Sequence, residues 1–316
     1  MRTPFMGRGL QLFAAVALLL AGACATAQPP AVAPRAAVKH QIPAADGHPL
    51  ALWEKRPAKP VGTILLVHGR TWSSLPNFDL QVAGEERSFM DALVARGYAA
   101  YALDLRGYGA TPRDATGWLT PERAAGDVAS ALDWIGRRGG RPVLLGLSRG
   151  ASVSAFVAQR YPEKLSAVVL LGFPADVDEK FPPTPPGQTP ARKPNTAENA
   201  ASDFITPGAI PRQGVDAFVA AALAADPVRV DWRDEDQFNA FSPAAVKVPT
   251  LLIHGEHDPL ATLEIGEKLF TRLAAGDREW AIIAGADHAV HLEDAQVRLA
   301  RAVTDFIQRI SSNGLQ

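Results

Sequence analysis

The 316-residue chain has a single cysteine, Cys24, so no disulfide within the chain supports its fold. A surplus of either charge is missing too. Lys and Arg total 32 against 33 Asp and Glu, a formal net charge of −1, and no basic run interleaves with aromatics. A chain without that field does not hold a phosphate backbone, which excludes nucleic acid as a partner. Gly107 and Gly109 lack the G-x-G-x-x-G frame and the later acid of a dinucleotide site. His254, His257 and Asp258 lie close together but without a fourth ligand, so no metal site emerges and no cofactor is expected. The apolar run from Leu10 to Leu20 is too short for a comfortable membrane span.

What is present describes a globular chain. Apolar residues make up 47% and charged residues 21%, enough for a sizeable core in one domain, or in one domain with an insertion. Arg2 and Arg8 before the short apolar run form the pattern of an export signal over residues 1–27. Two processing routes stay open. Ala25-Thr26-Ala27 fits the small-x-small rule and would release a chain beginning at Gln28. Ala21-Gly22-Ala23-Cys24 resembles a bacterial lipobox, with alanine where leucine is usual, and would keep Cys24 as a lipidated, membrane-associated first residue. Residues 28–41, rich in Ala and Pro, read as a flexible tether.

From about residue 42 strands and helices alternate. Leu50 to Glu54 suits an early strand, and Pro60 to Gly69 holds the continuous apolar run of a strand covered on both faces. A helix is predicted from about Glu85 to Arg96, a strand over Tyr98 to Leu103, and a helix over Pro121 to Arg137 with Thr120 as its cap. Pro142 to Leu145 leads a further strand, Ala151 to Arg160 a helix, and Leu165 to Leu171 another buried strand. This rhythm predicts an α/β fold, a mostly parallel sheet with helices on both faces. It breaks at residues 173–245, where six prolines crowd between Phe181 and Pro194 and an Ala-rich helical segment, Gly214 to Ala225, follows. It resumes at Val248. The core is therefore residues 42–172 and 246–316, and residues 173–245 are a lid or cap insertion at the carboxyl edge of the sheet. Leu263 to Leu273 and Leu292 to Ile310 are the last helices, with a strand over Glu279 to Ile283 between them.

Gly146-Leu147-Ser148-Arg149-Gly150 sits between a predicted strand and a predicted helix, the context in which G-x-S-x-G marks a nucleophile on a strained turn. A serine hydroxyl needs a base that is itself oriented. His288 follows the tight turn Ala284 to Asp287 at the carboxyl edge that displays Ser148. His40 and His48 read as solvated, His254 and His257 lie at a strand end, and His291 has a packing or surface role just inside the last helix. Asp258, before Pro259, is the candidate acid, and Asp176 is its rival.

Ser148, Asp258 and His288 occur in the order nucleophile, acid, base. With His68-Gly69, Asp104 to Gly109, Gly255 to Pro259 and Gly285 to His288, the chain resembles the α/β-hydrolase superfamily from about residue 50 to its end. The resemblance implies an oxyanion hole from the backbone N–H groups of Arg70 and Arg149, and a structural role for Asp104. The arginine side chains either attract a substrate carboxylate or pair with an acidic residue. Trp72 and Trp232 are candidates for the pocket wall, Trp72 alternatively a core residue. The leading expectation is a serine hydrolase, carboxylesterase-like, acting on a small-molecule ester, lactone or amide. A proline iminopeptidase-like activity is the alternative, since the acidic run Asp231 to Asp236 could recognise a free amine. A non-catalytic envelope binding protein on the same scaffold is the third. Serine at 148 argues against dehalogenase and epoxide hydrolase chemistry, which use aspartate there.

The two processing routes separate experimentally. Lipidated protein fractionates with membranes until detergent or Cys24→Ser releases it, whereas simple secretion gives an amino terminus that sequences from Gln28.

Overall fold

Uninterrupted apolar runs become the central strands of this chain. The computed structural model describes residue 1 and residues 36–313, so residues 2–27 of the expected export signal, Cys24 among them, and most of the expected tether lie outside the described residues. The strands are β1 (Val38–Pro43), β2 (Pro49–Lys55), β3 (Gly62–Val67), β4 (Tyr98–Asp104), β5 (Trp118–Leu119), β6 (Val143–Leu147), β7 (Ala167–Leu171), β8 (Asp231–Trp232), β9 (Thr250–Gly255) and β10 (Arg278–Ile283). The helices are α1 (Ser74–Phe78), α2 (Phe89–Ala95), α3 (Pro121–Gly139), α4 (Arg149–Arg160), α5 (Ala197–Ala201), α6 (Arg212–Ala225), α7 (Leu263–Arg272) and α8 (Gln296–Asn313).

Eight strands form one sheet in the order β1-β2-β4-β3-β6-β7-β9-β10. Only β1–β2 and β2–β4 pair antiparallel; the other five pairings are parallel. Alternate residues of each strand feed opposite faces. Leu65 and Val67 join α3, α4 and α7 in one core, while Ile64 and Leu66 join α2 and α8 in the other. This is the mostly parallel sheet with helices on both faces that the alternating pattern predicts.

Three expectations need correction. Residues 38–41 are not tether. They belong to β1, which pairs with β2 from Val38–Glu54 to Pro43–Pro49, anchored by the fully buried Ile42 and by His40 Nε2 at 2.7 Å from Glu54. The helix predicted from Glu85 begins at Phe89, because Ser88 Oγ accepts the Asp91 N–H at 3.0 Å and caps it. The last helix begins at Gln296 rather than Leu292. Gln296 Nε2 donates to the His291 carbonyl at 2.6 Å and holds the preceding loop.

Residues 173–245 contribute α5, α6 and β8, and Phe181 to Pro194 forms nothing regular beyond an isolated bridge from Pro194 to Val228. Ala200, Ile210, Phe218 and Ala222 of this segment pack with Trp72, Leu80, Val82 and Leu292. β8 pairs with β5 as a separate two-stranded ribbon.

Where β6 becomes α4, the backbone turns within one residue. Ser148 has φ 54° and ψ −120°, a left-handed conformation costly for any side chain. The turn brings main chains together so closely that a Cβ on Gly146 would overlap the Gly150 carbonyl, and one on Gly150 would overlap the Val67 and His68 carbonyls. Gly150→Ala is expected to lower stability by about 3 kcal/mol, because backbone rather than a flexible side chain must move. A urea midpoint unchanged from wild type would show that the turn has slack.

Candidate active site

The site collects at the carboxyl ends of β3, β6, β7, β9 and β10. Ser148 follows β6 and its N–H donates to the Leu171 carbonyl at the end of β7, 2.8 Å away. Its side chain is partly exposed. Gly172, which follows Leu171, borders the proposed acid and base: a Cβ built there would lie 3.1 Å from His288 Cε1 and 3.4 Å from Asp258 Oδ2.

Asp258 and His288 meet directly. His288 Nδ1 lies 2.7 Å from Asp258 Oδ2. A carboxylate only accepts, so Nδ1 carries the proton and Nε2 presents its lone pair. The other carboxylate oxygen accepts the Leu260 and Ala261 N–H groups at 2.9 Å each, which fixes the acid before it meets the imidazole. Asp176, the rival acid, is instead bonded to Lys268 Nζ at 2.6 Å, and that bond holds its carboxyl below the usual range. Among the described residues, the expected hydrogen bond between Ser148 Oγ and His288 is not made.

Arg70 and Arg149 flank Ser148, Arg149 by following it in the chain and Arg70 by following Gly69, where a built Cβ would sit 3.0 Å from Ser148 Cβ. Among the described residues neither the Arg70 nor the Arg149 N–H donates to a protein acceptor. The Arg149 N–H is also one that a helix start leaves free. The loop bearing Arg70 is held by His68, whose Nδ1–H donates to the Gly69 carbonyl at 2.8 Å while Nε2 accepts the Leu105 N–H at 3.1 Å. Complete burial pushes His68 down to about 4, so it is neutral and this tautomer is fixed. Asp104 is structural, as expected: it accepts from Ser74 N, Ala110 N and Trp53 Nε1.

The two tryptophans differ. Trp72 is 1% exposed and packs edge-on against Phe218 of the insertion, so it is a core residue and offers no open wall. Trp232 donates from Nε1 to the Tyr108 hydroxyl at 2.9 Å and turns a face toward the Arg149 guanidinium, 5.9 Å from the ring centre. A cavity of about 30 Å³ lies one helical turn beyond Ser148, lined by Ser152, Phe173, Phe181, Phe238 and Phe241 among others.

The remaining histidines lie elsewhere. His254 accepts from Trp280 Nε1 within the sheet, His257 is exposed, and His48 reaches the Pro112 carbonyl. His291 is buried on a loop before α8, not in the helix, with Nε2 at 3.1 Å from Asn77 Oδ1. Among the described residues no cluster of side chains could hold a metal, and no helix is long and apolar enough to cross a membrane.

One feature escaped sequence reasoning: the acids beneath the base. Asp287, next to His288, accepts the N–H groups of Ile205, Thr206 and Ala289 at 3.2, 2.5 and 2.9 Å. Its own N–H donates to the Glu293 carboxyl at 3.2 and 3.3 Å. Burial raises a carboxyl, but these hydrogen bonds outweigh it and hold Asp287 low. Burial first, and then the bond to Asp287, push Glu293 up to about 9, so Glu293 stays protonated and shares its proton with Asp287. Only the spacing of two acids around His288 hinted at this.

Glu293 gives the fold a pH dependence of definite sign. An unfolded glutamate loses its proton near its ordinary value of 4.5, while the folded one keeps it up to about 9. This stabilisation is full below 4.5 and is lost as pH rises toward 9. Between pH 7 and 9 the protein should lose about 2 kcal/mol of stability, and Glu293→Gln should lose much less over that range. Parallel urea midpoints for the two proteins would disprove this.

Residues 64–302 match the sequence profile described as the alpha/beta hydrolase family. A 2-(acetamidomethylene)succinate hydrolase from Mesorhizobium japonicum is 25% identical over 224 residues, covering 66% of this chain and 78% of that protein. Among solved structures, a thermophilic esterase from Thermogutta terrifontis, with malate bound, superposes with a TM-score of 0.64 at 20% identity, over 87% of this chain and 98% of that one. A proline iminopeptidase from Mycobacterium smegmatis gives 0.61 at 19% identity, over 88% and 100%.

Proposed function

We propose that this chain, which belongs to the alpha/beta hydrolase family, is a serine hydrolase that opens a carboxylic ester, or a related lactone or amide, through an acyl-enzyme. The observation that carries the reading is the 2.7 Å bond between Asp258 and His288 beside the strained Ser148. It sets the imidazole in the tautomer whose free nitrogen serves as a base.

Ser148 Oγ attacks the substrate carbonyl carbon while His288 Nε2 takes its proton. The carbonyl electron pair moves onto oxygen, where the N–H groups of Arg70 and Arg149 stabilise it without reorganising. Collapse of the tetrahedral intermediate breaks the bond to the leaving oxygen, which takes the proton from His288. Water, deprotonated by the same nitrogen, then opens the acyl-enzyme, releases the acid and restores Ser148. Asp258 acts only on His288, orienting it and balancing its charge.

The 30 Å³ phenylalanine-lined cavity one helical turn beyond Ser148 has room for little more than a water, so the substrate, small to medium in size, binds at the carboxyl edge of the sheet, with residues 173–245 as its lid. The amine-recognising alternative loses its motif, since three acids of that run are engaged. Asp231 accepts from the Ala191 and Arg192 N–H groups, Asp234 bonds Arg233, and Glu235 bonds two arginines. A complete set of nucleophile, base, acid and N–H donors supports catalysis over a silent binding role. The same proposal makes the enzyme exported, with residues 1–27 as its signal.

Wild-type protein should react with a fluorophosphonate at Ser148 and hydrolyse short nitrophenyl esters. Ser148→Ala should abolish labelling, and Asp258→Asn should lower kcat by about 10⁴ with an unchanged thermal midpoint. Label found on another serine, or near-full activity in Asp258→Asn, would sink the assignment.

A further inference from the structure

The proposed mechanism uses the main chains of Arg70 and Arg149 and leaves their side chains without a task. Both guanidinium groups converge on one carboxylate. Glu235 approaches Arg70 Nη1 at 3.3 Å through one oxygen and Arg149 Nη2 at 2.7 Å through the other. Two cations therefore share one anion, leaving one positive charge in excess on the side chains of the two residues that flank the Ser148 turn.

That charge is not neutralised nearby. The Arg149 side chain is 17% exposed, and burial lowers its hold on its proton. The rings of Phe181, Trp232 and Phe238 stand 5.5, 5.9 and 5.4 Å from its guanidinium carbon, attracting the cation without cancelling it. The Tyr108 phenol close by is pushed up to about 12 by burial and remains neutral. Asp226 spends its carboxylate on the Ser73 and Gly109 N–H groups. Arg149, the more buried of the two, takes the short bond to Glu235, while Arg70, 31% exposed, has only the longer one, so the Arg70 fork is the one open to an anion from outside.

Glu235 is also held in an unusual way. It follows Asp234, which has φ 51° and ψ 40°, a left-handed conformation for a residue other than glycine. The strained turn aims a side chain of the insertion back at the core arginines.

Resting on the hydrolase reading above, we infer that Arg70 and Arg149 form a carboxylate subsite, and that the preferred substrate is an acidic ester carrying a second, free carboxylate. Guanidinium forks match a planar carboxylate with two parallel hydrogen bonds. Glu235 occupies part of that site as an internal stand-in, sharing the forks with the substrate carboxylate or giving way to it.

The test compares the 4-nitrophenyl monoester of adipic acid with the same ester methylated at its far carboxyl, so that only charge differs. The ratio of their kcat/KM values is the readout, which cancels any general loss of catalytic power. Wild type should favour the charged ester by at least about tenfold, less so at high salt. Arg70→Gln should bring the ratio toward one through KM, Arg70→Lys should fall between, and Glu235→Gln should raise it. A ratio near one in wild type, or one indifferent to all three variants, overturns the inference even if both esters turn over. Adipate binding to Ser148→Ala, followed by calorimetry, separates the two readings. Binding that weakens in Ser148→Ala with Arg70→Gln upholds the subsite even without turnover, whereas no binding overturns it.

Discussion

Helix α4 can begin at Arg149 only because nothing projects from Gly146 or Gly150, and the rest of the site inherits that close approach. With main chains almost in contact there, Ser148 has one place to go, out of the sheet into a left-handed conformation. Holding it costs on the order of 1–3 kcal/mol, set against the fully buried strands β6 and β7 and the buried carboxyl end of β3, which fix the turn on both sides. The same turn aims the first free N–H of α4 at the position where charge would develop. The Ser148 hydroxyl and the free Arg149 N–H are thus both placed by one backbone geometry.

The remaining groups arrive from neighbouring strand ends and are fixed by bonds that do not involve substrate. Asp258 is locked by its own turn, His68 by two backbone groups, and the His288 loop by the Asp287–Glu293 pair. Keeping Glu293 protonated lets two acids sit side by side beneath an imidazole without a second negative charge. Pre-organisation of this kind is worth most in a site that reacts without rearranging.

Much of this was legible in the sequence because parallel strands buried on both faces read as continuous apolar runs, and their loops carry the polar motifs. Ser148 and Asp258 each follow such a run, and His288 follows the edge strand β10, which is only partly buried. Helix starts were harder, since Ser88 and Gln296 set them through side-chain bonds that periodicity does not register. The first four residues of β1 were hidden by an Ala- and Pro-rich approach that resembles a linker. Glu235 and Arg70 lie 165 residues apart, and nothing local couples them. Trp72 was ambiguous for the opposite reason, because its neighbours fit a pocket wall and a core equally well until Phe218 was seen against it.

Asp287 ties the loop that carries His288 to the insertion. The carboxylate beside His288 is satisfied by two N–H groups from residues 205 and 206, so withdrawing that segment leaves a buried anion short of donors, and the base loop loses one wall of its mounting. The mounting of this imidazole is thus shared between the core and residues 173–245, and a change at positions 205 and 206 reaches His288 through a single carboxylate.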